Sequence, residues 1–144
     1  MQADIDFQQL VEAIADAVIV ADRDGVITLW NPAAERLFGF AEAEALGQSL
    51  DLIIPEKQRN SHWDGYRKTM KTGQTRYATD TLRVPAIDKQ GRRLSVAFTV
   101  ALLYSAERKV TGIVAVMRDE TARFNEERGL RKRLAVLEVG GSKD

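Results

Sequence analysis

The chain contains no cysteine. That absence excludes disulfides, thiolate metal sites, iron–sulfur clusters and cysteine nucleophiles. It has a single histidine, His62, and one histidine without cysteine argues against a zinc site. Ser61 precedes His62 directly, and adjacent residues on a helix do not face each other, so the two cannot form a nucleophile–base pair. No glycine-rich phosphate loop is present. These gaps together set the expectation of a module that is not an enzyme. Neither sign of charge prevails, with 21 basic and 21 acidic residues, so no overall field favours nucleic acid or a membrane surface. No apolar run approaches the ~20 residues of a membrane span, and MQADIDFQQL lacks the basic and apolar regions of a signal peptide. The expected location is the cytoplasm. Prolines number only three, and each punctuates the chain.

What remains is enough for one domain of 144 residues with an ordinary apolar content. Phe7, Leu10, Val11 and Ile14 recur at helical spacing, which predicts an amphipathic helix over residues 4–15. Val18 to Ala21 and Val26 to Trp30 are short apolar runs around Asp22-Arg-Asp-Gly25, where glycine can take the positive φ of a hairpin turn. Asn31-Pro32 has the chemistry of a helix cap followed by the first helical residue. Helices are expected over Pro32–Phe38 and Ala41–Leu46, the latter ended by Gly47. Leu50–Ile54 reads as extended up to Pro55. A longer helix then runs to about Lys71, weakened by Gly65.

Three strands are expected after it. The first covers Arg76–Ile87, with Pro85 marking an edge or bulge. The second covers Arg93–Tyr104, where Leu94, Val96, Phe98, Val100 and Leu102 alternate with smaller or polar residues. The third covers Lys109–Arg118. The order β-β-α-α-α-β-β-β describes an α+β fold, a five-stranded antiparallel sheet with helices on one face. The tail after Asp119-Glu-Thr121 is helical in composition, with Leu130, Leu134 and Leu137 forming a short apolar seam. Its basic residues Arg123, Arg128, Arg131, Lys132 and Arg133 are interrupted by Glu126 and Glu127, which argues for a solvated face rather than a nucleic-acid stripe.

The stretch VIVADRDGVITLWNPAAERLFGF, residues 18–40, resembles the opening of a PAS domain. The closing Asp-x-Thr resembles the point where such domains hand over to a following helix. On this resemblance, residues 1–16 are an N-terminal amphipathic helix, 17–121 the PAS domain and 122–144 a C-terminal helical tail. The resemblance implies a sensor or interaction module in signal transduction. Lack of cysteine excludes the cysteine–flavin adduct of the photosensing relatives. The paired amphipathic termini imply a homodimer, and a downstream signalling protein is the expected partner. With no effector segment after the tail, the chain is expected to act by protein contact or to be a piece of a longer one.

The segment PEKQRNSHWDGY is similar to the haem-binding oxygen-sensor PAS subfamily. There a proline starts the helix, an arginine follows, and the haem-ligating histidine comes seven residues after the proline. Pro55, Arg59 and His62 match those places, and Gly91 matches the family's glycine turn 29 residues after the histidine. The resemblance implies haem b held by His62, with Trp63 and Tyr66 as pocket walls on the same helix. The family often has a tyrosine three residues after the histidine; Tyr66 follows by four, with Trp63 interposed. Phe98 and Val100, inward on a strand read as central, match apolar residues over the far side of the haem. Tyr77 and Ile113 complete the expected lining. The family's distal arginine aligns with Leu82, and Arg83 lies one place beyond. A bulge at Pro85 would repair that offset; without it Arg83 faces water. Met70 and Met117 read as core fillers. Two other readings stay open: a different small apolar ligand in the same cavity, and a ligand-free dimerisation module.

Overall fold

A computed structural model describes residues 4–75 and 81–141. Helix α1 (Phe7–Ala13) is capped by Asp6, whose side chain accepts the Gln9 N–H. It is followed by β1 (Ala17–Asp22), β2 (Ile27–Trp30), α2 (Pro32–Phe38) and α3 (Glu42–Ala45). Then come α4 (Glu56–Thr72), β3 (Leu82–Ile87), β4 (Arg93–Tyr104), β5 (Val110–Asp119) and α5 (Thr121–Gly141). The five strands form one antiparallel sheet in the order β2-β1-β5-β4-β3. β5 is therefore the middle strand. β4 is one from the edge, which corrects the expectation that it is central: strand order is set by tertiary pairing, which alternation along one strand does not encode.

Asn31 ties the first elements together. Its Oδ1 accepts the N–H groups of Val18 at 2.9 Å and Ala34 at 3.0 Å. Its Nδ2 donates to the carbonyls of Val11 at 3.0 Å and Asp16 at 3.1 Å. One buried amide thus caps α2 and fixes the exit of α1 and the start of β1, satisfying groups that would be costly to bury unpaired.

The inner face of the sheet carries Ile19, Ala21, Ile27, Trp30, Val96 and Ala86, which pack with Phe38 of α2, Ala45 of α3, and Tyr66 and Met70 of α4. Met117 packs against the same core. The strands approach closely at Gly112, where a Cβ would lie 2.6 Å from the Ala21 carbonyl oxygen. Leu50–Ile53 is a 3₁₀ turn and not the expected extended segment. Ser49 Oγ accepts the Asp51 N–H at 3.1 Å and Arg59 Nε donates to the Ile54 carbonyl at 3.0 Å. An apolar run of four residues does not reveal such bonds.

Pro85 sits in the edge strand β3, where its missing N–H costs nothing. The β3–β4 register runs unbroken from Leu82↔Phe98 to Ile87↔Arg93, so no bulge shifts it. Residues 76–80, the first part of the expected long strand, lie outside the described residues. On the outer face, α5 packs on β4. The Glu120 N–H donates to the Ser95 carbonyl at 2.8 Å, and the Thr121 hydroxyl oxygen accepts the Ser95 N–H at 3.0 Å.

Candidate functional site

Helix α4 presents Gln58, Arg59, His62, Trp63, Tyr66, Thr69 and Met70 to the protein and the rest to solvent. The spacing is that of one helical face. Tyr66 is buried and its hydroxyl donates to the carbonyl of Asp22 at the end of β1. Trp63 reaches the same turn. Its Nε1 donates to Asp51 Oδ1 at 2.7 Å, and its ring lies over Gly25 so closely that a Cβ there would stand 2.1 Å from Cη2. Gly25 has φ +80° and is in the conformation that glycine favours. The turn itself is shaped by Asp22, whose Oδ1 accepts the N–H groups of Asp24 and Val26. The two rings therefore clamp α4 onto the β1–β2 turn.

His62 lies beside this clamp. Its ring centroid is 4.6 Å from that of Trp63, edge to face, and 5.7 Å from that of Tyr66. Nδ1 is buried and has no hydrogen-bond partner; the same is true of Gln58 Oε1, one turn earlier on the helix. Burial pushes the imidazole pKa below its ordinary value, while the Asp51 carboxylate opposes the shift. The neutral form, which has a lone pair to give a metal, is thus favoured. Burial also raises the Tyr66 phenol, with Asp22 and Asp24 adding to the effect. It stays a neutral donor.

The strand residues fall on two faces. Leu82 pairs with Phe98, Phe98 with Met117, Val100 with Ala115 and Leu102 with Ile113. Leu82, Phe98, Val100 and Ile113 therefore share the inner face with α4. Arg83 pairs with Ala97 on the opposite face. Its guanidinium is 3.6 Å from the Glu127 carboxylate of α5 and about half exposed. Tyr77 lies outside the described residues. A groove of about 470 Å³ opens between the end of α4, at Gly73, Gln74 and Thr75, and Val100, Ala101, Leu102 and Tyr104 of β4. Among the described residues no group of three or more acidic, histidine or cysteine side chains forms a metal site, and no helix is long and apolar enough to cross a membrane. The donor chemistry would suit haem iron: a neutral imidazole on a helix, with Nδ1 unengaged. Sequence reasoning did not find Gln58, Asp51 or the Asp22 carbonyl. The i, i+4 spacing of Gln58 and His62 was the available signal for the first.

The family model described as "PAS fold" matches residues 5–119. The chain belongs to the PAS family. The sensor protein FixL of Bradyrhizobium diazoefficiens is 43% identical over 65 residues, 45% of this chain and 13% of that protein. The oxygen sensor protein DosP of Escherichia coli is 27% identical over 132 residues, 92% of this chain and 16% of that protein. This PAS chain thus spans under a fifth of either relative. Among solved structures, the PAS domain of a Colwellia psychrerythraea protein superposes with a TM-score of 0.70 at 19% identity, covering 81% of this chain and 95% of that one.

Proposed function

We propose that this PAS domain is a sensor module that binds haem b through His62 and reports a diatomic gas or redox state to a signalling partner. One observation carries it: the only histidine presents a neutral imidazole, buried at Nδ1 and unpartnered, on the face of α4 that covers the sheet. The likeness, over 92% of the chain, to a protein named as an oxygen sensor supports a diatomic gas as the signal. Bound haem would supply an iron able to take up a diatomic gas. His62 would hold it, with Trp63 and Tyr66 fixing the helix and Leu82, Phe98, Val100 and Ile113 excluding water. Arg83, engaged with Glu127 on the other face, offers no donor to this side. The module acts without catalysis, in the cytoplasm and as a homodimer through its terminal helices.

Haemin added to the purified chain is expected to give a Soret band that His62→Ala loses or shifts. No band, or one that His62→Ala leaves unchanged, overturns the proposal. The groove beside Val100 favours a second reading, since its volume is in the range of small-molecule sites. A stoichiometric non-haem compound released on denaturation and seen by mass spectrometry would support that reading.

A further inference from the structure

We infer that Gln58 is a positioning residue for His62: through a rotamer change or one bridging water, its Oε1 takes up the Nδ1–H of the imidazole and leaves the Nε2 lone pair free for a metal. The purpose of this pairing rests on the haem proposal above; the two unpartnered atoms that call for it do not. Gln58 Oε1 and His62 Nδ1 are the two buried side-chain polar atoms without a partner among the described residues. They lie on one helix at i and i+4, where Cβ atoms are about 5–6 Å apart and the later side chain leans back over the earlier one. One is an obligate acceptor. The other is a donor in one of the two neutral tautomers. A rotamer change or one bridging water would satisfy both.

The neighbours leave this pairing to them. Arg59 is engaged with the carbonyls of Ile54 and Asp51. Trp63 donates to Asp51, and Tyr66 to Asp22. Nδ1 is the nitrogen of His62 that is buried without a partner. A proton on Nδ1 therefore needs an acceptor inside the protein. Without that acceptor a buried Nδ1–H would be unsatisfied, and the proton would move to Nε2, blocking the lone pair that a metal requires.

The single histidine makes the test direct. Nitrogen NMR of the metal-free protein, labelled at histidine and held well above the ordinary imidazole pKa, reads one ring. The wild type is expected to show the Nδ1–H tautomer. Gln58→Leu is expected to shift it towards Nε2–H, and Gln58→Glu, which keeps an acceptor, to retain Nδ1–H. Haemin affinity is expected to fall about tenfold in Gln58→Leu and to be kept in Gln58→Glu. Should Gln58→Leu fail to fold, Gln58→Met replaces it, keeping the side-chain length without the acceptor. A wild type in the Nε2–H form, or a tautomer ratio indifferent to loss of the acceptor, overturns the inference. A tautomer that follows Gln58 with no Soret band overturns the haem proposal and leaves the pairing standing. A Soret band with an indifferent tautomer does the reverse.

Discussion

Residue scale decides where this domain is vulnerable. His62 is neutral when buried, and its pKa in the fold lies below its unfolded value of about 6.5. Above that pH both states are neutral and its effect on stability is nil. As pH falls through it, the unfolded chain takes up the proton first, so stability declines towards the lower folded pKa. In urea unfolding, His62→Leu is expected to gain on the wild type as pH drops from about 7.5 to about 5.5. A difference that ignores pH would show that burial of the ring does not matter. Gly25 offers a second test. Alanine there pays for a left-handed backbone, about 1–2 kcal/mol, and collides with the Trp63 ring. Gly25→Ala is expected to cost roughly 2–4 kcal/mol, combining backbone strain with overpacking. In the Trp63→Ala background the cost is expected to shrink to the backbone part. Equal costs in both backgrounds would remove Trp63 from the turn. The turn itself is legible in Asp22-Arg-Asp-Gly25. The indole lying on it is not, because 38 positions of sequence separate Trp63 from Gly25.

Elements were legible where a local rule is strong. Strict alternation marks β4 from Arg93 to Tyr104 with both ends correct, and Asn31-Pro32 marks the start of α2. The same alternation, read from Leu82, puts Arg83 on the outer face once the unbroken register rules out a bulge. Leu50–Ile53 departs from the extended expectation because its 3₁₀ form depends on Ser49 and on Arg59 from the next helix. The attachment of α5 is a further element-scale matter. Ser95 on β4 bonds to Glu120 and Thr121 through both backbone groups, extending the ladder beyond the end of β5. Thr121→Val keeps the shape but leaves the Ser95 N–H without its acceptor, at a cost of about 1–3 kcal/mol. Hydrogen exchange is expected to speed up at Ser95 and in the first turn of α5 while the inner sheet stays protected. Uniform acceleration, or none, would show that Thr121 does not hold the helix.

At the scale of the whole molecule, the core and the ends obey different rules. The inner face of the sheet is filled by α2, α3 and α4. The termini carry apolar side chains that the chain itself does not cover: Phe7 is 70% exposed on α1, and Leu134 and Leu137 are 58% and 70% exposed on α5. Leu130, Leu134 and Leu137 make barely two turns of seam, too short to hold two helices together alone. A dimer built on these surfaces therefore needs the α1 residues Phe7 and Leu10 as well as the tail. Removing residues 123–144 is expected to convert the proposed homodimer to a monomer in sedimentation, with the sheet intact by circular dichroism. Phe7→Lys combined with Leu10→Lys, in the full chain, is expected to weaken association at least tenfold, since each buried apolar side chain contributes about 1.5–3 kcal/mol. The two variants separate the contributions. A dimer that survives truncation but fails on the α1 substitutions places the interface on α1. One that survives both removes the terminal helices from the interface, leaving their exposed apolar faces for another partner.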